Sequence, residues 1–198
     1  SFTSPTSFIL LKNSFLALDK KYSSLNNSPA VILPVIYSEQ KSAKAVFSRA
    51  AREIIKASAK LEPYDEEMGG ELCFEKGIST LETLNLQKLS YPKAAEKIEK
   101  EISPLIDQNK TVTTIGGNHS ISYGAIKAFR KKYESLSVLH IDSRANMKQD
   151  WQTKSPHESL ISRVAEFNSN ITQVGIRSQS KEENEFRVEK QIHQFLAC

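Results

Sequence analysis

The stretch of residues 110–157 constrains the fold most, because it holds two short apolar runs separated by one helical repeat. The runs, residues 111–115 and 136–141, each end abruptly in polar or charged residues. Between them, residues 120–133 carry apolar side chains at helical spacing and end in a basic cluster. This order predicts a strand, a helix and a second strand. Such a unit builds a parallel sheet, whose chemistry lies at the carboxyl ends of the strands.

Composition indicates an ordinary soluble α/β protein with no nucleic-acid or membrane signature. Of the 198 residues, 39% are hydrophobic and 25% charged, and the net charge of +4 comes from interspersed basic and acidic side chains. That pattern favours a solvated surface over specific nucleic-acid binding. The longest apolar run falls well below the ~18 residues that a transmembrane helix requires.

The two cysteines, Cys73 and Cys198, lie far apart and have no ligand-spaced neighbours. We expect free thiols in a reducing compartment. The first residues are rich in hydroxyl groups and contain no acid before Asp19, which is similar to the remains of an organelle transit sequence. The expected location is therefore intracellular, in the cytoplasm or an organelle matrix.

The first half of the chain predicts an extended N-terminal arm at residues 1–29, followed by one α/β domain at 30–198. Residues 30–36 form an apolar run typical of a buried parallel strand, and Pro34 favours a sheet edge or a strand end. Residues 44–61 predict a helix, and residues 64–89 predict a loop with a minor strand at 72–74. The expected inner face of that helix consists of Val46, Ala50, Ile54, Ala57 and Leu61.

The second half continues the alternation of helix and strand. A helix beginning near Pro92 is capped by Ser90 and buries Ala95, Ile98, Ile102, Leu105 and Ile106. Further on, helices are predicted at 158–167 and 181–190, and strands at 171–176 and 191–197. The fold class is therefore α/β, with a three-layer arrangement in which a mostly parallel sheet is flanked by helices.

The polar residues that follow the two central strands could belong to a phosphate-binding loop, a serine nucleophile site, or a metal or carboxylate centre. Gly116 and Gly117 lack the spacing of both common phosphate loops, and Ser120 has no nucleophile elbow around it. A metal or carboxylate centre remains. His119 offers an imidazole nitrogen, Asp142 a carboxylate, and His157 a second imidazole.

Several segments together resemble the motifs of one enzyme family, the ureohydrolases (arginase, agmatinase and their relatives). Residues 116–120, GGNHS, are similar to the family's GGDHS motif, and residues 140–146 lie where the family has DAHxD. Residues 155–157 occupy the place of an SHG segment, residues 61–67 with 77–78 resemble a loop of agmatinases, and residues 174–177 match VGIR. The likeness spans about residues 30–180.

The resemblance implies an arginase-like fold and hydrolysis of a guanidino group to release urea. Family members use two Mn²⁺ ions and a bridging hydroxide, which supplies a nucleophile at neutral pH. The ligands come from a His of the first motif, Asp-His-Asp of the second, and two Asp of a later DxD. On this comparison the sheet of the present chain is expected to be incomplete at the C-terminus.

Position by position, the resemblance implies a remnant metal site of His119 and Asp142. Arg144 stands where the family has its His ligand, and a guanidinium has no lone pair to donate to a metal ion. Asn146 stands where it has the final Asp, and no DxD occurs in the sequence. We expect an Asp142–Arg144 ion pair, with His119 hydrogen-bonded nearby, to replace the metals. A single weakly held ion on His119 and Asp142, or a regular dinuclear centre, are the alternatives.

Two further residues have open interpretations. His157 is expected to be a surface-loop imidazole, and it is a weak candidate for a proton shuttle. Trp151, the single tryptophan, is expected to anchor packing or an interface rather than to form a substrate platform.

The sequence therefore predicts an agmatinase-like pseudoenzyme that has lost its manganese site and acts as a structural or regulatory subunit. No cofactor is expected, except Mn²⁺ if the site is functional, and protein partners are expected in a homo- or hetero-oligomer. The alternative is an active Mn-dependent agmatinase-type hydrolase of which this chain is a fragment. Binding of nucleic acid through the basic helix end at residues 130–132 is a third, weaker hypothesis.

Overall fold

The computed structural model describes residues 14–38, 44–149 and 156–197, without the side chains of Lys44 and Ala45. The chain divides into two compact units, residues 1–121 and 122–198. Trp151, Cys198 and residues 1–13 of the predicted arm lie outside the described residues. Residues 14–29 contain a 3-10 turn (Phe15–Ala17) and the short helix α1 (Lys20–Ser23).

The first unit is a four-stranded parallel sheet with helices. Its strands are β1 (Ala30–Ile36), β2 (Ile78–Thr80), β3 (Leu84–Asn85) and β4 (Thr111–Gly116), and its longer helices are α2 (Lys44–Ser58) and α4 (Tyr91–Asp107). β1 pairs with β4 along one edge, and with β2 and then β3 along the other. The strand predicted from the apolar run at 30–36 is confirmed, and it is the centre of this sheet.

The sheet edge or strand end expected from Pro34 is wrong, because Pro34 lies inside β1, which has strands on both sides. Ile32 and Ile36 accept hydrogen bonds from the backbone N–H groups of Leu81 and Leu86, so every second residue of β1, including Pro34, faces that edge. There β2 has already ended at Thr80 and β3 begins only at Leu84. The missing N–H of proline therefore meets a gap between two short strands, and the sheet loses no hydrogen bond.

The inner face predicted for α2 is also wrong. Val46, Ile54 and Leu61 are exposed, whereas Ala51 and Ile55 are buried. The buried residues are each one position later in the sequence than the predicted ones, Ala51 for Ala50 and Ile55 for Ile54. Phe47, Ala51 and Ile55 form a second apolar row at the same helical spacing, so periodicity alone did not decide between the two rows.

The minor strand predicted at 72–74 is a single helical turn, α3 (Leu72–Glu75). Gly77 follows it with φ +82°, a left-handed conformation that suits glycine and ends helices. Strand pairing begins one residue later, at Ile78. By contrast the predicted inner face of α4 is confirmed, because Ala95, Ile98, Ile102, Leu105 and Ile106 are all buried. Ser90 is at the N-cap position, but its side chain makes no capping hydrogen bond.

The second unit is a three-stranded parallel sheet in the order β5 (Val138–Ile141), β6 (Ile171–Ile176) and β7 (His193–Leu196). Helices α5 (Ser122–Lys132), α6 (Leu160–Val164) and α7 (Lys181–Glu189) complete it, and a 3-10 turn (Pro156–Ser159) precedes α6. Its core is a single cluster of nine buried residues: Ala145, Met147, Leu160, Ile161, Val164, Ile171, Ile176, Phe186 and Ile192.

Alternate residues of β5 point to opposite sides of this sheet. Val138 and His140 are half-buried, whereas Leu139 and Ile141 are 63% and 74% exposed. Phe195 and Leu196 of β7 are exposed as well. All strand pairs among the described residues are parallel, which confirms the predicted α/β class. Within that part of the chain no helix combines the length and apolar character needed to cross a bilayer.

Candidate functional site

His119 lies in the first unit, just beyond the carboxyl end of β4. That strand ends at Gly116, and a 3-10 turn covers His119–Ile121. The buried Asn118 side chain accepts a hydrogen bond from the backbone N–H of Ser120 at 3.0 Å, which closes the turn. The position at a strand end is the one predicted from the sequence.

Gly116 and Gly117 are glycines because their surroundings leave no room for a side chain. A Cβ on Gly117 would lie 2.3 Å from the ring of Phe47, and one on Gly116 would lie 3.0 Å from the Val35 carbonyl oxygen. Neither residue has a positive φ. The pair therefore permits close packing of β4 against β1 and α2.

Asp142 lies in the second unit, immediately after β5. Its Oδ1 accepts from the backbone N–H of Arg144 at 3.1 Å, and its Oδ2 accepts from the side-chain Nδ2 of Asn146 at 3.1 Å. The Ser143 hydroxyl lies 3.4 Å from Oδ1. Because His119 belongs to the other unit, the prediction that these two residues share one site stays a prediction.

The expected Asp142–Arg144 ion pair is wrong. In the described part of the chain, the guanidinium of Arg144 forms no ion pair with Asp142. The Arg144 side chain is exposed and lines a cleft of about 380 Å³. The carboxylate of Asp142 instead accepts a hydrogen bond from the backbone N–H of Arg144, and this hydrogen bond closes a turn. This turn carries the side chain of Arg144 away from the carboxylate that it was expected to neutralise.

Asn146 takes the place expected for the cation. Its Nδ2 donates to Asp142 Oδ2 and to the Arg144 carbonyl oxygen, each at 3.1 Å. Both partners can only accept, so the amide nitrogen must face them and the amide oxygen must point elsewhere. The residue is buried and has φ +53°, a conformation that asparagine tolerates better than most residues.

The segment that carries these groups is fixed from both sides. Ala145 and Met147, which flank Asn146, are completely buried in the core of the second unit. The backbone N–H of Met147 donates to Glu183 Oε1 at 2.9 Å, and the Asn146 carbonyl accepts from the N–H of Ile161 at 3.0 Å. The geometry around Asp142 is therefore set by the core.

Sequence reasoning missed His140 as a site residue. Its Nε2 lies 3.5 Å from Asp142 Oδ2, and its Nδ1 lies 2.9 Å from the Nε2 of Gln173, which is fully buried. The available signal was a polar residue inside each of two apolar strands, VLHI and ITQVGI. The sequence of each strand taken alone cannot show that His140 and Gln173 lie opposite each other in the sheet.

His157, the weak proton-shuttle candidate, is half-buried in the 3-10 turn Pro156–Ser159 of the second unit. The neighbouring Glu158 forms an ion pair with Lys148 at 3.0 Å, and the backbone N–H of Lys148 donates to the Glu158 carbonyl at 3.0 Å. Its role as a proton shuttle stays a prediction. Of the residues 155–157 that resemble an SHG segment, Ser155 lies outside the described residues.

The donor set around Asp142 does not fit half of a dinuclear Mn²⁺ centre. Such a centre needs several carboxylates and neutral imidazoles with a free lone pair. There the second unit offers one carboxylate, Asp142, and one imidazole, His140, and Asn146 directs an N–H group at the carboxylate. Arg144 has no lone pair to donate. One carboxylate and one imidazole of the second unit are fewer ligands than such a centre needs.

Comparison with known proteins identifies the family of the chain. Residues 28–197 match the arginase family. An N(1)-aminopropylagmatine ureohydrolase from Synechocystis is 28% identical over 98% of this chain and 65% of its own length. An agmatinase from Bacillus cereus is 30% identical over 70% of this chain and 47% of its own length.

The solved structures give the same result for the fold. The agmatine ureohydrolase of Thermoplasma volcanium superposes with a TM-score of 0.76 at 18% identity, over 97% of this chain and 62% of that chain. The present chain thus spans less than two thirds of each of these relatives. The extent of the family match, from residue 28 to residue 197, shows that the chain belongs to the arginase family.

Proposed function

We propose that this chain is an agmatinase-like pseudoenzyme that has lost its dinuclear manganese site and serves as a structural or regulatory subunit. The observation that carries the proposal is the Asn146 amide, which directs an N–H group at Asp142 Oδ2 from a position where the family has a carboxylate ligand. Arg144 strengthens it, because its guanidinium stands where the family has a histidine ligand and has no lone pair to donate to a metal ion. No reaction step is assigned to the chain.

The direct test is the metal content of the purified chain after incubation with Mn²⁺, measured by mass spectrometry of the elements. We expect far less than one ion per chain. About two ions per chain, the number that a family enzyme uses, would reject the proposal. An Asp142→Asn variant is the control, since any binding that it retains does not involve this site.

Restoring the ligand types tests the cause of the loss. The double variant Arg144→His with Asn146→Asp removes a cation and adds an imidazole and a carboxylate. Its Mn²⁺ affinity, measured by isothermal titration calorimetry, should exceed that of the wild type at least tenfold. An unchanged affinity would show that these two residues are not what prevents binding.

A second candidate function is an active agmatinase-type hydrolase of which this chain is a fragment. The His140–Asp142 pair at a strand end supports it, as does the similarity to agmatinases over part of their length. The test is urea release from agmatine, arginine and other guanidino compounds with added Mn²⁺, by the longer protein of which this chain would be a part. Release from any of them would favour this function, and none from all of them would reject it.

The proposal includes protein partners and a reducing compartment, cytoplasm or organelle matrix. Exposed apolar side chains on one side of the second sheet, Leu139 and Ile141 among them, support an assembly. The buried free thiol of Cys73 is consistent with reducing conditions.

A further inference from the structure

Three polar side chains form a row across the sheet of the second unit. His140 of β5 is the register partner of Gln173 of β6, and Gln173 is the register partner of Gln194 of β7. In a parallel sheet register partners project to the same side, so the three side chains meet. Gln173, in the middle, is fully buried. A buried amide is costly unless its hydrogen-bonding groups find partners, and here they do.

The orientation of the Gln173 amide is fixed by a group outside the row. Its Nε2 lies 2.8 Å from the carbonyl oxygen of Ala145, which can only accept a hydrogen bond. The amide nitrogen must therefore face Ala145. The amide oxygen then accepts from the Nε2 of Gln194 at 2.9 Å. One hydrogen of the Gln173 amide nitrogen remains, and it points at the Nδ1 of His140, 2.9 Å away.

We propose that Gln173 is a positioning residue that fixes His140 as its Nε2–H tautomer. An Nδ1 that receives a hydrogen bond carries no proton, so the single proton of the neutral ring sits on Nε2. That nitrogen lies 3.5 Å from Asp142 Oδ2. His140 thus turns an N–H group toward the carboxylate, at a separation longer than that of an ordinary N–H···O hydrogen bond. This inference rests on the proposed function and deepens it at the same site, because it turns an N–H group of His140, and not a lone pair, toward Asp142.

The hydrogen bond at the second ring nitrogen of His140 runs in the opposite direction to that found in metal-binding histidines. A ligating imidazole donates its second N–H to a carboxylate or carbonyl, which leaves the other nitrogen free to bind the ion. Here the second nitrogen receives a hydrogen bond instead. To free the Nε2 lone pair, the Gln173 amide would have to turn over. Its oxygen would then face the Ala145 carbonyl, and the hydrogen bond from Gln194 would be lost.

The tautomer is measured directly by long-range ¹H–¹⁵N correlation spectra of the chain labelled with ¹⁵N-histidine. Spectra are recorded on metal-free protein at alkaline pH, where imidazoles are neutral. The chain contains four histidines, and a His140→Asn variant identifies the signal of interest by its loss. We expect His140 to show the Nε2–H pattern in at least a tenfold excess. An Nδ1–H pattern, or an equal mixture, would overturn the inference.

Variants at Gln173 test the cause of the tautomer. Gln173→Glu keeps the shape but replaces the N–H group by an acceptor, so the His140 proton should move to Nδ1. Gln173→Leu removes the donor, and a mixture of tautomers is expected; this variant serves if a buried carboxylate prevents folding. Gln179→Leu is the matched control, because Gln179 accepts from Gln194 at 3.1 Å but does not touch His140. A folded Gln173 variant with an unchanged tautomer would overturn the positioning role.

The two proposals fail separately. Two Mn²⁺ ions per chain would reject the loss of the metal site, whereas the tautomer of the metal-free protein still reports on Gln173. Conversely, a mixture of tautomers in the wild type would reject the role of Gln173 and leave the hydrogen bond from Asn146 to Asp142 as the support for metal loss.

Discussion

Asn146 adopts a left-handed backbone conformation that side chains other than asparagine and aspartate seldom take. Its φ is +53°, and its neighbours Ala145 and Met147 are held in the core without any exposed surface. The strain is offset by two hydrogen bonds from its amide, to Asp142 and to the Arg144 carbonyl. One residue thus combines the turn of the chain with a hydrogen bond to the carboxylate.

Replacing Asn146 separates these two contributions. Asn146→Ala removes both hydrogen bonds and places a Cβ-bearing residue with no polar compensation at positive φ, so we expect a loss of roughly 2–4 kcal/mol in the free energy of unfolding. Asn146→Gly removes the hydrogen bonds but tolerates the backbone, and it should cost about 1 kcal/mol less. Urea denaturation followed by circular dichroism measures both. Equal losses would show that the backbone conformation carries no strain.

Gly117 gives a second prediction at this scale. A Cβ there would overlap the Phe47 ring close to its attachment to the backbone, where rotation of the ring cannot relieve it. We expect Gly117→Ala to destabilise the chain by roughly 1–3 kcal/mol through overpacking. In a Phe47→Leu background the same substitution should cost less, because the smaller side chain leaves space. Additive costs in the double-mutant cycle would contradict this contact.

The sequence placed His119 and Asp142 correctly within the fold. His119 and Asp142 do follow β4 and β5, as their positions after apolar runs predicted. The Asp142–Arg144 ion pair was wrong because charge complementarity says nothing about the direction of a backbone turn. The row of His140, Gln173 and Gln194 was missed because it depends on the register between strands that are distant in sequence.

Helix α7 is connected to the loop that carries Asn146 by one side chain, that of Glu183. Ser180 Oγ accepts from the backbone N–H of Glu183, and Glu183 Oε2 accepts from the N–H of Ser180, which together form a capping box. The other carboxylate oxygen of Glu183 accepts from the buried N–H of Met147. The same side chain therefore begins a helix and holds the loop that carries Asn146.

Glu183→Ala should cost more than the loss of a helix cap alone. It leaves the N–H of Met147 without its acceptor in the core, so we expect a decrease of roughly 2–4 kcal/mol in the free energy of unfolding. Ser180→Ala, which removes only a cap contact, should cost about 1 kcal/mol. Glu185→Ala is the control, since its ion pair with Lys181 is exposed. Denaturant midpoints rank the three variants, and equal effects of the first two would contradict the link to Met147.

The sequence predicted some helices and strands more accurately than others. Alternation of apolar runs and helical repeats predicted β1, β6 and α4 with nearly the observed bounds. The inner face of α2 could not be chosen, because two adjacent stripes are both apolar. Pro34 indicated an edge, yet its missing N–H falls in a gap between two short strands. That gap depends on where partners begin and end, which a single strand does not reveal.

At the scale of the whole molecule, the proposed subunit role predicts an assembly. Light scattering coupled to size exclusion should give a mass of at least two chains of 22.2 kDa, or native mass spectrometry should show one partner at fixed stoichiometry. The reason is the exposed apolar surface at Leu139, Ile141, Phe195 and Leu196, which a monomer would leave in water. A monodisperse 22.2 kDa species without any partner would contradict the role.

Parallel pairing of every described strand also has a consequence for the nascent chain. No strand finds its partner through a tight hairpin, so each pairing must wait until an intervening helix has been made. β4 follows β1 by about 80 residues, which at a synthesis rate of roughly 5–20 residues per second is a delay of about 4–16 s. During that interval the segment AVILPVI leaves the ribosome without its longest partner. Chaperone binding at the ribosome exit should therefore concentrate on this first strand.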